Sequence, residues 1–193
     1  MATNKQYKFA FIHITKTGGV TIETELGWIN GGDGHNSYNY YEDKYPDYEK
    51  YAVVRNPYDR FISSFFFAKK YDKKNNTSKY KFIYERGLVG LINLMLSDKP
   101  DTGKFSAELL IKPQYKFVCT GTDIKCKIYN FETFYQTYKS FCNKTGISPK
   151  AQVPVHNTSN HKPYKEYYTE ELKNKVYEYY KLDFQIFNYK KEL

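Results

Sequence analysis

Two segments each read as a buried strand that runs into a polar turn and then a helix: Phe9-Ala10-Phe11-Ile12-His13-Ile14-Thr15-Lys16-Thr17-Gly18-Gly19-Val20-Thr21 and Tyr51-Ala52-Val53-Val54-Arg55-Asn56-Pro57-Tyr58-Asp59-Arg60-Phe61-Ile62-Ser63-Ser64. The apolar run Tyr7 to Ile14 suits a strand buried on both faces, and Lys16-Thr17-Gly18-Gly19 interrupts it. The glycines permit backbone angles closed to other residues and let the main chain approach a ligand closely. Val20 to Leu26 then reads as a helix. A strand, a glycine turn and a helix start present N–H groups to an anion. Lys16 adds a mobile charge, and Thr17 and Thr21 add hydroxyls. The competing reading is an ordinary strand-to-helix turn.

In the second segment, Tyr51 to Val54 predicts another buried strand. Asn56 is a good N-cap and Pro57 a good first helical residue, and the helix is expected to run to about Lys70. Arg55 stands at the carboxyl end of its strand, where parallel α/β sheets place ligands. Its guanidinium forks onto a phosphate, and the Ser63 hydroxyl can complete that grip. An Arg55 paired with Asp59 and a solvent-facing Ser63 is the alternative.

The first loop is not the ATPase phosphate loop. That pattern, G-x-x-x-x-G-K-[ST], would need glycine at positions 10 and 15, which hold Ala10 and Thr15. Together the two segments instead resemble the two cofactor motifs of sulfotransferases that use 3′-phosphoadenosine-5′-phosphosulfate (PAPS). Ile12 to Gly19 is similar to the 5′-phosphosulfate loop, departing at Thr15, where the carbohydrate branch usually has proline; the change removes no phosphate donor. Val54 to Ser63 is similar to the 3′-phosphate motif. The stretch Val153 to Ser159, with the tyrosines that follow it, resembles the tail of carbohydrate sulfotransferases. Tyr71 to Gln114 resembles nothing identifiable.

The resemblance implies sulfuryl transfer from PAPS to a hydroxyl acceptor, a carbohydrate first, with 3′-phosphoadenosine-5′-phosphate (PAP) leaving and no metal required. It assigns cofactor contacts to Thr15, Lys16, Thr17, Gly18, Gly19, Val20, Thr21, Arg55 and Ser63, with Lys16 also offsetting charge on the leaving oxygen. A histidine has an ordinary pKa suited to the base. Of the four in the chain, His35 lies between the two motifs, and Gly34-His35 resembles the segment that carries the base in the carbohydrate branch. Glu42 and Asp33 are the substitutes. His13 reads as a packed core histidine, and His156 and His161 as groups at the site rim. Phe131 is either an adenine platform or a core ring, and Lys162 either closes on a phosphate or stays solvated.

With 193 residues, one domain spanning 1–193 is expected, an α/β fold of P-loop-like, three-layer α/β/α type with a mainly parallel sheet. The formal charge of +9, with 22 tyrosines and 14 phenylalanines, opens a second reading, a nucleic-acid-binding module. Its lysines are dispersed and no such motif is present, so no nucleic acid is expected as partner. A nucleotide kinase would need an acidic metal ligand after a strand, which the sequence does not offer. A catalytically inactive PAP-binding relative stays open. Cys119, Cys126 and Cys142 lack zinc-site spacing. Their low, odd number suits a reducing compartment, and no signal or membrane segment precedes the first strand, so a soluble, cytoplasmic protein of viral or microbial origin is expected. Lys69 to Lys79 is expected as a loop, Phe82 to Met95 as one helix, and Thr169 as the start of a last helix with Leu172, Val176, Tyr179 and Tyr180 inward.

Overall fold

The structure, a computed structural model, describes residues 3–25, 34–97, 105–150, 153 and 161–193. The elements run in chain order as β1 (Thr3–Asn4), β2 (Phe9–Ile12), α1 (Gly19–Glu25), α2 (Tyr38–Lys44), β3 (Glu49–Val54), α3 (Pro57–Asn75), α4 (Lys81–Tyr84), α5 (Gly87–Leu96), α6 (Phe105–Ile111) and α7 (Tyr115–Val118). They continue as β4 (Cys119–Thr120), β5 (Asp123–Ile124), β6 (Lys127–Asn130), a 3-10 turn at Phe131–Thr133, α8 (Phe134–Thr145), a second 3-10 turn at Tyr164–Tyr167, α9 (Glu170–Tyr179) and α10 (Lys181–Ile186). The chain divides into two compact units, Met1–Arg55 with Gln114–His156, and Asn56–Pro113 with Asn157–Leu193.

The first unit carries a sheet of order β1-β2-β3-β6. The pairs β2–β3 and β3–β6 are parallel, with Phe11 opposite Tyr51 and Val53 opposite Tyr129, and β1 adds an antiparallel edge that the sequence reading lacks. The α/β class with a mainly parallel sheet, in the P-loop-like manner, is thus the observed one. β2 and β3 are continuous apolar runs because both faces are covered: Phe9 to Ile12 and Lys50 to Val54 are all buried. Phe9, Phe11, Tyr51 and Val53 share one face and pack with Ile22, Tyr138, Phe141 and Cys142. The Phe141 ring meets Phe11 and Tyr51 edge-on, each at 5.7 Å between centroids. Truncating such a ring to alanine costs about 3–5 kcal/mol. A short hairpin, β4 with β5, lies apart from the sheet.

The second unit is helical. Asn56 caps α3, its side chain accepting from the Tyr58 and Asp59 N–H groups at 2.9 and 3.5 Å, with Pro57 opening the helix. The expected end near Lys70 is too early: α3 continues to Asn75, and Asn76 ends it in the left-handed conformation at φ 50°. The cause is Asp72. Buried, it accepts from Thr77 Oγ1 at 2.7 Å, from the Tyr80 N–H at 2.8 Å and from Tyr84 Oη at 3.3 Å. Residues expected as a loop therefore form a helical turn and its closure. The single helix expected over Phe82 to Met95 is two, broken at Gly87, whose φ of +67° suits glycine. Thr169 caps α9 as expected, accepting from the Leu172 N–H at 3.2 Å. Leu172, Val176 and Tyr180 are buried and Tyr179 packs against the same core.

Among the described residues no helix is long and apolar enough to cross a membrane.

Candidate active site

The site lies in the first unit, where the chain leaves the carboxyl ends of β2 and β3. After β2, the Ile14 N–H turns back to the Ile12 carbonyl at 3.1 Å. The buried Thr17 hydroxyl donates to the Ile14 carbonyl at 2.9 Å and closes the loop from inside. Lys16 sits at φ 64°, a left-handed conformation that costs a non-glycine residue roughly 1–2 kcal/mol. The Thr21 N–H donates to the Gly18 carbonyl at 3.0 Å as α1 begins. Gly18 has φ +81°, and a Cβ there would come within 2.5 Å of the Phe134 ring. At Gly19 a Cβ would lie 2.4 Å from the His13 ring. Both glycines are required by close approach. Thr15 and Thr21 are buried and Val20 is exposed.

The second strand brings Arg55 to this loop. Its Nη1 donates to the Lys16 carbonyl at 3.0 Å, and its guanidinium stands 4.2 Å from the centroid of Phe131. Such a stacked cation contributes on the order of 1 kcal/mol. Phe131 in turn packs on Phe134 at 5.7 Å. The Arg55 backbone is held by a residue that sequence reasoning missed. Gln114, fully buried, accepts from the Arg55 N–H at 2.9 Å and donates to the Arg55 carbonyl at 2.8 Å. The partners are 59 positions apart, and no local pattern marks a glutamine as the mate of a distant peptide group.

His35, half-buried, places Nδ1 2.7 Å from the His13 carbonyl. A carbonyl only accepts, so Nδ1 carries the proton, and Nε2 is the basic nitrogen of the neutral ring. The His35 ring meets the His13 ring edge-on at 4.5 Å. His13 is buried, as expected of a packed histidine, and its Nδ1 pairs with Glu23 Oε1 at 3.1 Å. Glu23 is a second residue the sequence reading did not single out.

The structure thus gathers Lys16, Thr17, Gly18, Gly19, Arg55, Phe131, His13 and His35 within one unit. Ser63 and Lys162 belong to the other: Ser63 is buried on α3, and Lys162 is exposed, 3.7 Å from Glu166. His161, also in the second unit, stacks on Phe66 at 5.4 Å. Glu42 is ion-paired with Lys50 and hydrogen-bonded to Tyr38; the Lys50 bond first, then the Tyr38 bond, hold its carboxyl below the ordinary range, which weakens it as a base. Asp33 and His156 lie outside the described residues. No group of three or more His, Cys, Asp or Glu among the described residues could hold a metal ion.

The donors at the loop, an ammonium and a guanidinium beside close-approach glycines, suit a ligand with phosphate groups. No curated protein and no solved structure matches the chain significantly. The model of the Sulfotransferase family matches residues 1–190, which takes in both motifs and both units. A loop and an arginine of this kind, within a family match that spans nearly the whole chain, place this protein in the sulfotransferase family.

Proposed function

We propose that the protein moves a sulfuryl group from PAPS to a hydroxyl group of a carbohydrate, leaving PAP. The observation that carries this reading is the meeting of the two motifs: Arg55 Nη1 donates to the Lys16 carbonyl at 3.0 Å. Two cationic anchors on one loop suit a nucleotide with phosphate at both its 5′ and 3′ positions.

PAPS would supply an activated sulfuryl group. The chain supplies position and charge, which dominate in transfers of this type. The loop Thr15 to Thr21 and the Lys16 ammonium hold the 5′ end and offset charge on the leaving oxygen. Arg55 grips the 3′-phosphate. Phe131 offers a ring for the adenine. His35 takes the acceptor proton at Nε2, since its Nδ1–H is engaged by the His13 carbonyl. Cys119, Cys126 and Cys142 are in no disulfide, which supports a reducing, cytoplasmic setting.

The reading is tested by thermal melting with PAP, and with ATP plus Mg²⁺ for comparison. A ligand that binds only the native state raises the melting temperature. PAP should raise it and ATP with Mg²⁺ should not; sulfation of candidate oligosaccharides is then assayed with PAPS. No shift with saturating PAP would sink the proposal.

A further inference from the structure

We propose that Gln114 is a specificity-determining positioning residue, through which the site distinguishes 3′-phosphorylated nucleotides from those without that phosphate. This rests on the reading of Arg55 as the 3′-phosphate arginine.

The argument begins with what β3 lacks at its end. Its pairing with β6 stops at Val54 opposite Asn130, and α3 begins at Pro57. Arg55 sits in the junction, past the sheet ladder and before the helix. A peptide there has no neighbouring strand to fix it. The side chain of Gln114 takes that place. One primary amide carries an acceptor and a donor, and it meets the Arg55 N–H and the Arg55 carbonyl at 2.9 and 2.8 Å, as a further strand residue would. Gln114 is 0% exposed, so its amide reaches no ligand. Its effect on binding is indirect, and Arg55 is the site residue it holds.

Arginine has a long side chain, and a forked grip on phosphate needs its origin fixed. Here both ends are fixed: Gln114 holds the backbone, while Phe131 and the Lys16 carbonyl hold the guanidinium. Loss of the Gln114 amide frees the backbone end. The guanidinium then samples positions off the phosphate, and the affinity contributed by that phosphate falls. Contacts to the 5′ end, made by the loop, are affected far less.

The test compares PAP with adenosine 5′-phosphate, which lacks the 3′-phosphate, by calorimetry on the full chain. Wild type should favour PAP by about tenfold or more. Gln114→Met keeps the length of the side chain and removes both hydrogen bonds. It should bring the preference to within about threefold, with adenosine 5′-phosphate weakened less than about threefold. Combined with Arg55→Ala, it should weaken PAP no further than Arg55→Ala alone, because both act on one contact. A Gln114→Met protein that keeps the full preference, or losses that multiply in the double variant, would overturn the proposal. Should Gln114→Met not fold, Gln114→Glu carries the same comparison: its carboxylate accepts from the Arg55 N–H but cannot donate to the carbonyl, and an undiminished preference there also overturns it. A wild-type protein that binds both nucleotides equally would instead defeat the assignment of Arg55 itself.

Discussion

In the first unit, buried or half-buried polar side chains grip backbone that has left regular structure. Thr17 holds Ile14, Gln114 holds both peptide groups of Arg55, and His35 holds the carbonyl of His13. In the second unit, comparable groups join segments to one another. Tyr180 Oη donates to the Ile111 carbonyl at 2.7 Å, Ser64 Oγ to the Leu110 carbonyl at 2.7 Å, Tyr58 Oη to the Lys191 carbonyl at 2.9 Å and Tyr168 Oη to the Tyr58 carbonyl at 2.9 Å. Burial drives the Tyr58 and Tyr180 hydroxyls well above the usual tyrosine range, so they stay protonated donors. The same kind of bond therefore does two jobs. One shapes a loop toward a ligand, and the other fastens helices. Changes in the first unit should show in chemistry, and changes in the second in stability.

The sharpest break of that contrast would come at Lys16. Lys16→Ala should lower turnover on the order of 10³-fold while the melting temperature hardly moves; near-normal turnover in a sulfation assay would refute its role. His35→Ala should follow, slowing the chemical step about 10²-fold with PAP affinity unchanged. A lost PAP affinity by calorimetry would make His35 a binding residue instead. In the second unit, Asp72→Ala leaves three donors without their acceptor and should cost about 2–4 kcal/mol in denaturant unfolding, with activity per folded molecule intact. A loss of turnover in that variant would break the division of labour.

The smallest effect is expected at the Glu42–Lys50 pair. The Glu42 carboxyl is held below its ordinary value of 4.5, chiefly by the Lys50 hydrogen bond. A lowered folded pKa means the pair stabilises above that ordinary value and loses its effect as pH falls through the lower, folded one. The gap in melting temperature between wild type and Glu42→Gln should thus be present near neutrality and close at acid pH. A gap that does not change with pH would assign the loss to something other than charge.

Much of the first unit is legible because its signals are local. An apolar run, Lys16 to Gly19 and the Asn56-Pro57 cap each announce themselves within a few residues, and β2, β3, α1 and α3 follow. Legibility ends where partners are distant or where a tertiary bond overrides local preference. The lysine-rich stretch after Lys70 reads as a loop, yet Asp72 reaches forward to Thr77, Tyr80 and Tyr84 and holds it helical. Gln114 and Glu23 look like ordinary polar residues until the fold sets them against Arg55 and His13. β1 and the β4–β5 hairpin have two residues per strand, too few to show an alternating pattern.

Residues 56–113 leave the first unit after Arg55 and return to it at Gln114, and those two residues are joined by a pair of hydrogen bonds. Departure and return therefore share one doorway. In evolutionary terms, that stretch has the topology of a cassette. Lengthening, shortening or exchanging its later part, beyond the motif that ends at Ser63, would leave the end of β3 and the start of α7 tied together, so a lineage could revise that part without re-registering the sheet.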